Sequence, residues 1–347
     1  MPGKGPRAVI LGCVGERLSA NERRFFADAD PVGFILFRRN CRSPDQVRDL
    51  VTALRDSVGR REAPVLIDQE GGRVARLRPP SWRLYPSAAC LGSLSDPQAE
   101  LAARLGARLI ADDLEQLGIT ADCLPVLDLP VAGADPVIGD RAYGTEPGRV
   151  TRLARAVCEG LFEGGLLPVI KHIPGHGRAR VDSHFACPVV ETDTDELSRT
   201  DFAPFRALAA VPWAMSAHIV YMAVDPTAPA TLSRRVITEV IRGAIGFDGV
   251  LVSDDLSMQA LGGGIGERAG RALAAGCDLV LHCNGDRREM EAVVAASGPI
   301  STKTADRLTR GEATRRASGP RPFDRRETEA QFEALLAGAR VSELAAG

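Results

Sequence analysis

Eight short apolar runs rich in β-branched residues recur along the chain and alternate with segments of helical pattern. Parallel strands need long crossovers, usually helical, so this alternation predicts a parallel β-sheet. Nearly continuous hydrophobicity within each run is typical of strands buried on both faces. Eight such units predict an α/β fold of the TIM-type (β/α)8 barrel class, with a doubly wound sheet as the alternative. The runs are AVILGCV from Ala8, GFILF from Gly33, VLID from Val65, CLPVLDL from Cys123, LPVIKH from Leu167, AMSAHIVY from Ala214, VLVSDD from Val250 and DLVLHC from Asp278.

The segments between the runs carry helix signals. SPDQVRDLVTALRDSVGR opens with a Ser-Pro start, DPQAELAARLGARLIADDLEQLG ends on glycine, and GRVTRLARAVCEGLFEGG has apolar residues at three-to-four spacing. After Asn284 the sequence offers only helix-like segments. We therefore expect a single catalytic barrel domain over residues 1–347, with C-terminal helices over about 285–347 and no second domain.

Charge and cysteine usage limit the classes of partner. The net charge is −2 with acids and bases interspersed, which gives no electrostatic case for nucleic acid or an anionic membrane. Eight cysteines are scattered without a CxxC pair, a pattern typical of buried thiols in a reducing compartment. No apolar run reaches the roughly 20 residues of a membrane span. We expect a cytoplasmic monomer that acts on a small molecule.

Polar residues follow several of the predicted strands, where barrel enzymes place their chemistry. Asp254 shares strand parity with Val250 and Val252, so its side chain is expected to point into the barrel mouth, while Asp255 points away and caps the next helix. An inward carboxylate is costly unless it is used or paired, which favours a function for Asp254. The other polar residues at strand ends are Asp68, Arg76, Asp128, Arg141, Lys171, His172 and His218.

The segment KHIPGHGRARVDSH, from Lys171 to His184, holds three of the five histidines of the chain. In extended backbone, residues two apart point the same way, so the Asp182 carboxylate is expected to reach the His184 imidazole. Such a contact fixes the tautomer of the ring and predicts a proton-transfer dyad. His176 is interpreted as a residue that shapes this glycine-rich loop through hydrogen bonds.

Three kinds of function fit these residues. A metal-dependent barrel hydrolase would use histidines and aspartates as ligands, but the histidines crowd into one loop beside Lys171. In a glycoside hydrolase, Asp254 would attack the anomeric carbon while His184 protonates the leaving oxygen. A barrel that binds sugars without catalysis is the third possibility. For a glycosidase, the residues that would hydrogen-bond the sugar are Asp68, Arg76, Arg141, Lys171 and His172.

Six sequence blocks resemble the β-N-acetylhexosaminidases of glycoside hydrolase family 3, specifically the short single-domain bacterial NagZ type of peptidoglycan recycling. The pair KHxPGHG and DSH is the most specific part of the resemblance, and Ile173 stands where the family usually has Phe. In chain order the blocks are GFILFRRN from Gly33, LIDQEGGRVARL from Leu66, VIGDRAYG from Val137, KHIPGHG from Lys171, DSH from Asp182 and VLVSDDLSM from Val250.

The resemblance implies a role for each matching residue. It implies that Asp254 is the nucleophile of a covalent glycosyl-enzyme, that His184 is the acid/base and that Asp182 orients it. It further implies that the five sugar-contacting residues hold a terminal N-acetylglucosamine, with no metal or cofactor. The implied substrate is N-acetylglucosamine linked to 1,6-anhydro-N-acetylmuramic acid, with or without a stem peptide, hydrolysed with retention. A phosphorylase is the nearest enzymatic alternative, since a histidine acid/base does not repel an anionic acceptor.

Overall fold

The computed structural model describes residues 5–345, with side chains described for residues 5–337. Eight parallel strands close into a barrel in the order β1-β10-β9-β7-β5-β4-β3-β2, while β6 and β8 form a separate two-stranded sheet. This architecture confirms the predicted TIM-type barrel. The strands are β1 Arg7–Gly12, β2 Pro31–Leu36, β3 Val65–Ile67, β4 Ala121–Asp122, β5 Leu167–Ile173, β6 Val189–Val190, β7 Trp213–Ser216, β8 Val220–Tyr221, β9 Val250–Asp255 and β10 Leu279–His282.

Helices surround the barrel, and the three predicted from the sequence begin and end within a few residues of their predicted bounds. In α2, the Ser43 hydroxyl accepts the Gln46 N–H and Pro44 occupies the first turn, as the Ser-Pro signal predicts. Within residues 5–345, no helix combines the length and hydrophobicity needed to cross a membrane. The helices are α1 Ala20–Ala29, α2 Pro44–Ser57, α3 Ala88–Gly92, α4 Asp96–Glu115, α5 Pro147–Glu163, α6 Thr194–Arg199, α7 Phe202–Ala207, α8 Ile265–Ala275, α9 Arg287–Ala296, α10 Thr302–Ser318 and α11 Arg325–Ala345, with a π-helical segment at Val236–Ala244.

The core has an inner and an outer part, because successive side chains of a strand point to opposite faces. In β1, Ile10 belongs to the cluster that fills the barrel, whereas Val9 and Leu11 belong to the cluster between the barrel and the helices. All three side chains are fully buried. Strands covered on both faces therefore read as continuous apolar runs in the sequence.

The fourth predicted strand is wrong in its bounds. The regular strand is Ala121–Asp122, and the run from Cys123 continues irregularly along β5, with an isolated bridge between Val126 and Lys171. Pro125 has no N–H to donate to a ladder, and the Leu124 N–H bonds back to the Asp122 carbonyl at 2.8 Å. The hydrophobic pattern alone does not indicate where regular strand pairing ends.

The sixth predicted strand is also wrong in its bounds, since the run from Ala214 is divided between two sheets. Ser216 ends the barrel strand, and Val220–Tyr221 pairs with Val189–Val190 in the small sheet. Between them, the His218 ring bonds the Thr231 hydroxyl and the Asp255 carbonyl, which takes the backbone out of the barrel ladder. The small sheet holds the end of the loop that follows β5.

The C-terminal helices include the last helix of the barrel and two that follow it. α9 comes directly after β10, and α11 packs on α4, where the fully buried Phe332 ring lies against Gly106. A Cβ at Gly106 would lie 3.0 Å from that ring, so the glycine permits the close approach. The organisation as one domain stays a prediction, and residues 1–4 and 346–347 lie outside the described residues.

Replacing Phe332 by alanine is expected to destabilise the protein by about 3–5 kcal/mol, because the substitution leaves a cavity between α11 and α4. Gln331→Ala, at an exposed neighbouring position of the same helix, is the matched control and is expected to change stability by less than about 0.5 kcal/mol. Urea unfolding measures both. Equal stabilities of the two variants would contradict the docking of α11.

Candidate active site

A cleft of about 290 Å³ opens where the barrel strands end and their loops begin. It is at the small end of the range for ligand sites, a size that suits a single sugar ring. The structure brings all the site residues predicted from the sequence into its wall. They are Asp68, Arg76, Arg141, Lys171, His172, Asp182, His184 and Asp254.

Lys171 lies at the centre of a chain of alternating charges. Its Nζ is 2.9 Å from Asp68 Oδ1 and 2.6 Å from Glu70 Oε1, and its side chain is only 2% exposed. Arg76 continues the chain through a 2.9 Å ion pair with the other oxygen of Asp68, and Arg141 grips Glu70 with two bonds of 2.8 and 2.9 Å. A buried ammonium requires such compensation, because its transfer from water costs several kcal/mol.

The pKa values of these groups keep the charges in place at neutral pH. Burial raises the pKa of Glu70, but Lys171 and Arg141 outweigh it and hold the pKa at about 2. Burial likewise raises the pKa of Asp68, and Lys171 and Arg76 lower it far below its ordinary value. Burial lowers the pKa of Lys171, whereas the two carboxylates raise it above its ordinary value. Each member of the cluster is therefore ionised when a substrate enters.

His172 is held at the end of β5 by Asp128. Its Nδ1 is 2.7 Å from Asp128 Oδ2, and its backbone N–H donates to Oδ1 of the same carboxylate at 3.1 Å. The contact leaves Nε2 facing the cleft, 3.5 Å from an Arg141 nitrogen. A carboxylate behind an imidazole fixes the tautomer and the orientation of the ring. His172 is thus presented as a fixed polar group in the wall.

Asp182 and His184 form the predicted contact, but through a turn and not through extended backbone. The Asp182 carboxylate accepts the backbone N–H of His184 at 2.8 Å and bonds its ring Nδ1 at 2.7 Å. A short aspartate side chain that bonds the backbone two residues on stabilises a turn, which here replaces the expected strand geometry. Burial raises the pKa of Asp182, whereas the His184 hydrogen bonds lower it overall. The other ring nitrogen of His184 is left for proton transfer.

The loop that carries the dyad rests on two neighbouring parts of the structure. His176 Nε2 bonds the Ser183 hydroxyl at 3.0 Å, and the carbonyl oxygens of Ser183 and His184 accept the N–H groups of Ala260 and Gln259 at 3.2 and 3.4 Å. The His176 backbone N–H also donates to Asp128. These contacts support the interpretation that His176 shapes the loop. They also connect the dyad to the segment that follows β9.

Asp254 and Asp255 end β9, and both line the cleft, so the expectation that Asp255 points away and caps the next helix is wrong: Gly264 is the N-cap of α8. Asp254 lines the cleft and accepts the Asp255 backbone N–H at 2.8 Å. Burial raises its pKa, but the His172 and His218 rings and this N–H lower the pKa overall, so Asp254 is an anion at neutral pH. Asp255 accepts bonds from the Ser257 hydroxyl and backbone N–H and from the Cys283 N–H, so it fixes the loop after β9.

Glu70 and Asp128 belong to the site although sequence reasoning gave them no role. Glu70 joins Lys171 to Arg141, and Asp128 orients His172. A signal for Glu70 exists in the sequence, because it lies two residues after Asp68 and such residues share a face in extended backbone. Asp128 lies within the apolar run from Cys123, which does not form the expected regular strand, so strand alternation could not predict the direction of its side chain.

Metal-ligating side chains do not form a cluster among the residues that the structure describes. Within the part of the chain that the structure describes, no group of three or more His, Cys, Asp or Glu side chains is placed to hold a metal ion. The carboxylates of the cleft are engaged instead by Lys171 and by arginines. The cleft contains an anionic aspartate, an exposed histidine and a set of fixed hydrogen-bonding groups.

Residues 8–310 match the family described as Glycosyl hydrolase family 3 N terminal domain. The chain is 38% identical over 333 residues to a beta-hexosaminidase of Pseudomonas aeruginosa, covering 95% of this chain and 97% of that protein. It is 41% identical over 285 residues to a beta-hexosaminidase of Alkalilimnicola ehrlichii, covering 80% of each. Both relatives are matched over most of their length.

The chain is also similar to a solved structure. The chain is similar to NagZ from Neisseria gonorrhoeae in complex with N-trifluoroacetyl-D-glucosamine, with a TM-score of 0.82 and 34% sequence identity. The similarity covers 98% of this chain and 98% of that one. It therefore extends over the barrel, its loops and the C-terminal helices.

The buried His176 is expected to make stability depend on pH. Burial and the neighbouring His172 lower its pKa to about 4, against about 6.5 in the unfolded chain. Below about pH 6.5 the unfolded state binds a proton that the folded state refuses, so stability falls as pH decreases, by about 2 kcal/mol between pH 6.5 and pH 5. Urea unfolding across this range is expected to show a shallower decline for His176→Gln than for the unmodified protein.

Ser183→Ala is the control for this measurement. It removes the hydroxyl that bonds His176 but leaves the imidazole buried, so it is expected to keep the steeper decline. Identical pH dependence in His176→Gln and the unmodified protein would contradict the assignment of the titrating group.

Proposed function

The chain belongs to glycosyl hydrolase family 3 and is a glycoside hydrolase of the β-N-acetylhexosaminidase type, and on that premise we propose its substrate and mechanism. The proposed substrate is N-acetylglucosamine β-1,4-linked to 1,6-anhydro-N-acetylmuramic acid, with or without a stem peptide, as produced in peptidoglycan recycling. The similar NagZ structure contains N-trifluoroacetyl-D-glucosamine, an N-acylated glucosamine, which supports an N-acetylglucosamine in the cleft. We further propose that the chain acts as a cytoplasmic monomer, where its eight free cysteines stay reduced.

One observation carries the mechanism: Asp254 and the pair Asp182 and His184 line the same small cleft. The nucleophile is on a barrel strand, whereas the proton donor is on a loop docked beside the segment that follows that strand. A retaining glycosidase needs these two functions at one glycosidic bond, one at the anomeric carbon and one at the leaving oxygen. Asp254 and His184 would perform both functions, without a second carboxylate as acid.

The proposed reaction has two steps. In the first, an Asp254 oxygen bonds the anomeric carbon while His184 Nε2 gives its proton to the glycosidic oxygen, and the C–O bond to the leaving sugar breaks. Asp182 holds Nδ1–H of the ring and stabilises the imidazolium form from which the proton is given. In the second, His184 takes a proton from water, which attacks the anomeric carbon and releases Asp254. Two displacements at one carbon retain its configuration.

The charged cluster serves to hold the non-reducing sugar. Asp68 and Glu70 are fixed acceptors, and Arg76, Arg141 and Lys171 are fixed donors. Because each is already locked by its neighbours, little side-chain entropy is lost when sugar hydroxyls bind. Charge-assisted hydrogen bonds are directional, so the cluster selects the positions of the hydroxyls. Arg76, Asp68, Lys171 and His172 therefore form the proposed sugar subsite together with Arg141.

A phosphorylase is the second candidate function, because the proposed proton donor is a histidine and not a carboxylic acid. Once His184 has given its proton its ring carries no negative charge, and its side chain is 59% exposed, so an anionic acceptor meets no carboxylate in its place. A phosphorylase would transfer the sugar to phosphate in the second step. A metal-dependent hydrolase and a non-catalytic sugar-binding barrel are the less favoured alternatives.

The purified enzyme is expected to release N-acetylglucosamine from an aryl N-acetyl-β-glucosaminide and from the anhydro disaccharide, with the β-anomer formed first in a proton NMR time course. The corresponding aryl glucoside is the control and is expected to react far more slowly. Formation of sugar 1-phosphate in phosphate buffer would identify a phosphorylase. Inhibition by a chelator would identify a metal-dependent enzyme. If neither substrate is cleaved, the protein would be a sugar-binding barrel without catalysis.

Replacing the catalytic groups is expected to remove turnover without unfolding the chain. Asp254→Ala is expected to show no detectable hydrolysis but to retain sugar binding by calorimetry. His184→Ala and Asp182→Ala are expected to slow hydrolysis of the disaccharide by roughly 100- to 10,000-fold, the usual contribution of a general acid/base. Unchanged rates in either loop variant would exclude the dyad, and substantial activity of Asp254→Ala would place the nucleophile elsewhere.

A further inference from the structure

Large exposed apolar side chains are concentrated on the acid/base loop, residues 174–188 between β5 and β6, and on the segments that it contacts. Five of the seven such residues among those described have this location, which we call the apolar rim. Isolated exposed apolar residues are ordinary, but their concentration in one region marks a binding surface. The apolar rim consists of Val131, Val181, Phe185, Val189 and Met222.

Backbone contacts tie the outer members of the apolar rim to the loop. The Val131 N–H donates to the carbonyl of Gly177, and the Met222 N–H donates to the carbonyl of Val190. Val189 lies in β6, where the loop ends. Val181 and Phe185 lie directly before Asp182 and directly after His184. The apolar residues therefore flank the dyad along the chain.

Phe185 is the most exposed member, with 75% of its surface accessible. Its N–H donates to the Asp182 carbonyl at 3.0 Å, so its backbone belongs to the same turn as the dyad. Phe185 directly follows His184, the proposed proton donor to the glycosidic oxygen. Consecutive Cα atoms are about 3.8 Å apart, so the two residues are close neighbours. The sugar beyond that oxygen is the part of the substrate that the cleft of about 290 Å³ does not enclose.

We propose that Phe185 contacts the leaving-group sugar and determines which aglycones the enzyme accepts. This inference rests on the proposed function. Sugar rings present C–H groups on their faces, and these carry partial positive charge that the negative face of an aromatic ring attracts. In a 1,6-anhydro sugar an ether bridge replaces two hydroxyls, which makes the ring less polar. Such an aglycone suits the exposed phenyl ring and its aliphatic neighbours.

Two substrates with the same N-acetylglucosaminyl group and different leaving groups test the inference. N-acetyl-β-glucosaminyl fluoride has a leaving group of one atom, whereas the disaccharide with 1,6-anhydro-N-acetylmuramic acid has a full sugar. Phe185→Ala is expected to lower kcat/KM about tenfold for the disaccharide, a typical value of one aromatic contact, and less than twofold for the fluoride. Phe185→Tyr keeps the aromatic face and is expected to restore most of the disaccharide activity.

Leu84→Ala is the matched control, because Leu84 is 56% exposed and lies outside the apolar rim. It is expected to leave both substrates unaffected. An equal loss with both substrates for Phe185→Ala, or no loss with either, overturns this inference alone. If the unmodified enzyme cleaves neither substrate, the proposed function fails and the inference fails with it.

Discussion

The buried ammonium of Lys171 is the constraint around which the active site is built. A lysine that is almost inaccessible to water is tolerated only because Asp68 and Glu70 both lie within ion-pair distance. Those carboxylates are themselves buried, so they require Arg76 and Arg141 as further partners. The result is a network in which no member is easily removed. The network therefore holds fixed hydrogen-bonding groups in the wall of the cleft.

A second set of contacts joins the loop that carries Asp182 and His184 to this rigid part. The dyad is on a loop, where side chains are less constrained than on a strand. His176 connects that loop to Asp128 at the barrel wall, while Ser183 and His184 bond the segment that follows β9. Asp254 on its strand and His184 on its loop therefore line one cleft. The small sheet of β6 and β8 holds the far end of the loop.

Particular residues show where sequence reasoning succeeded and where it stopped. Alternating apolar runs and helix signals predicted the barrel, and polar residues at strand ends predicted the wall of the cleft, because both patterns follow from local periodicity. The bounds of the fourth strand were wrong because Pro125 interrupts the ladder. Asp182 and His184 meet as expected, but by an aspartate-stabilised turn that the spacing alone did not indicate. Glu70 was missed because its partners are distant in sequence.

Local patterns in the chain were enough to predict the fold class, the residue types of the site and the loop that carries the dyad, since each depends on neighbours in the sequence. How those residues pair depends on contacts between distant parts of the chain. Lys171 is on β5 and Glu70 is on the loop after β3, and Asp128 contacts His172 from the segment that runs beside β5. Closing the barrel brings these groups within a few ångströms and removes water from around them. Their charges and orientations arise from that desolvated proximity, which no local pattern records.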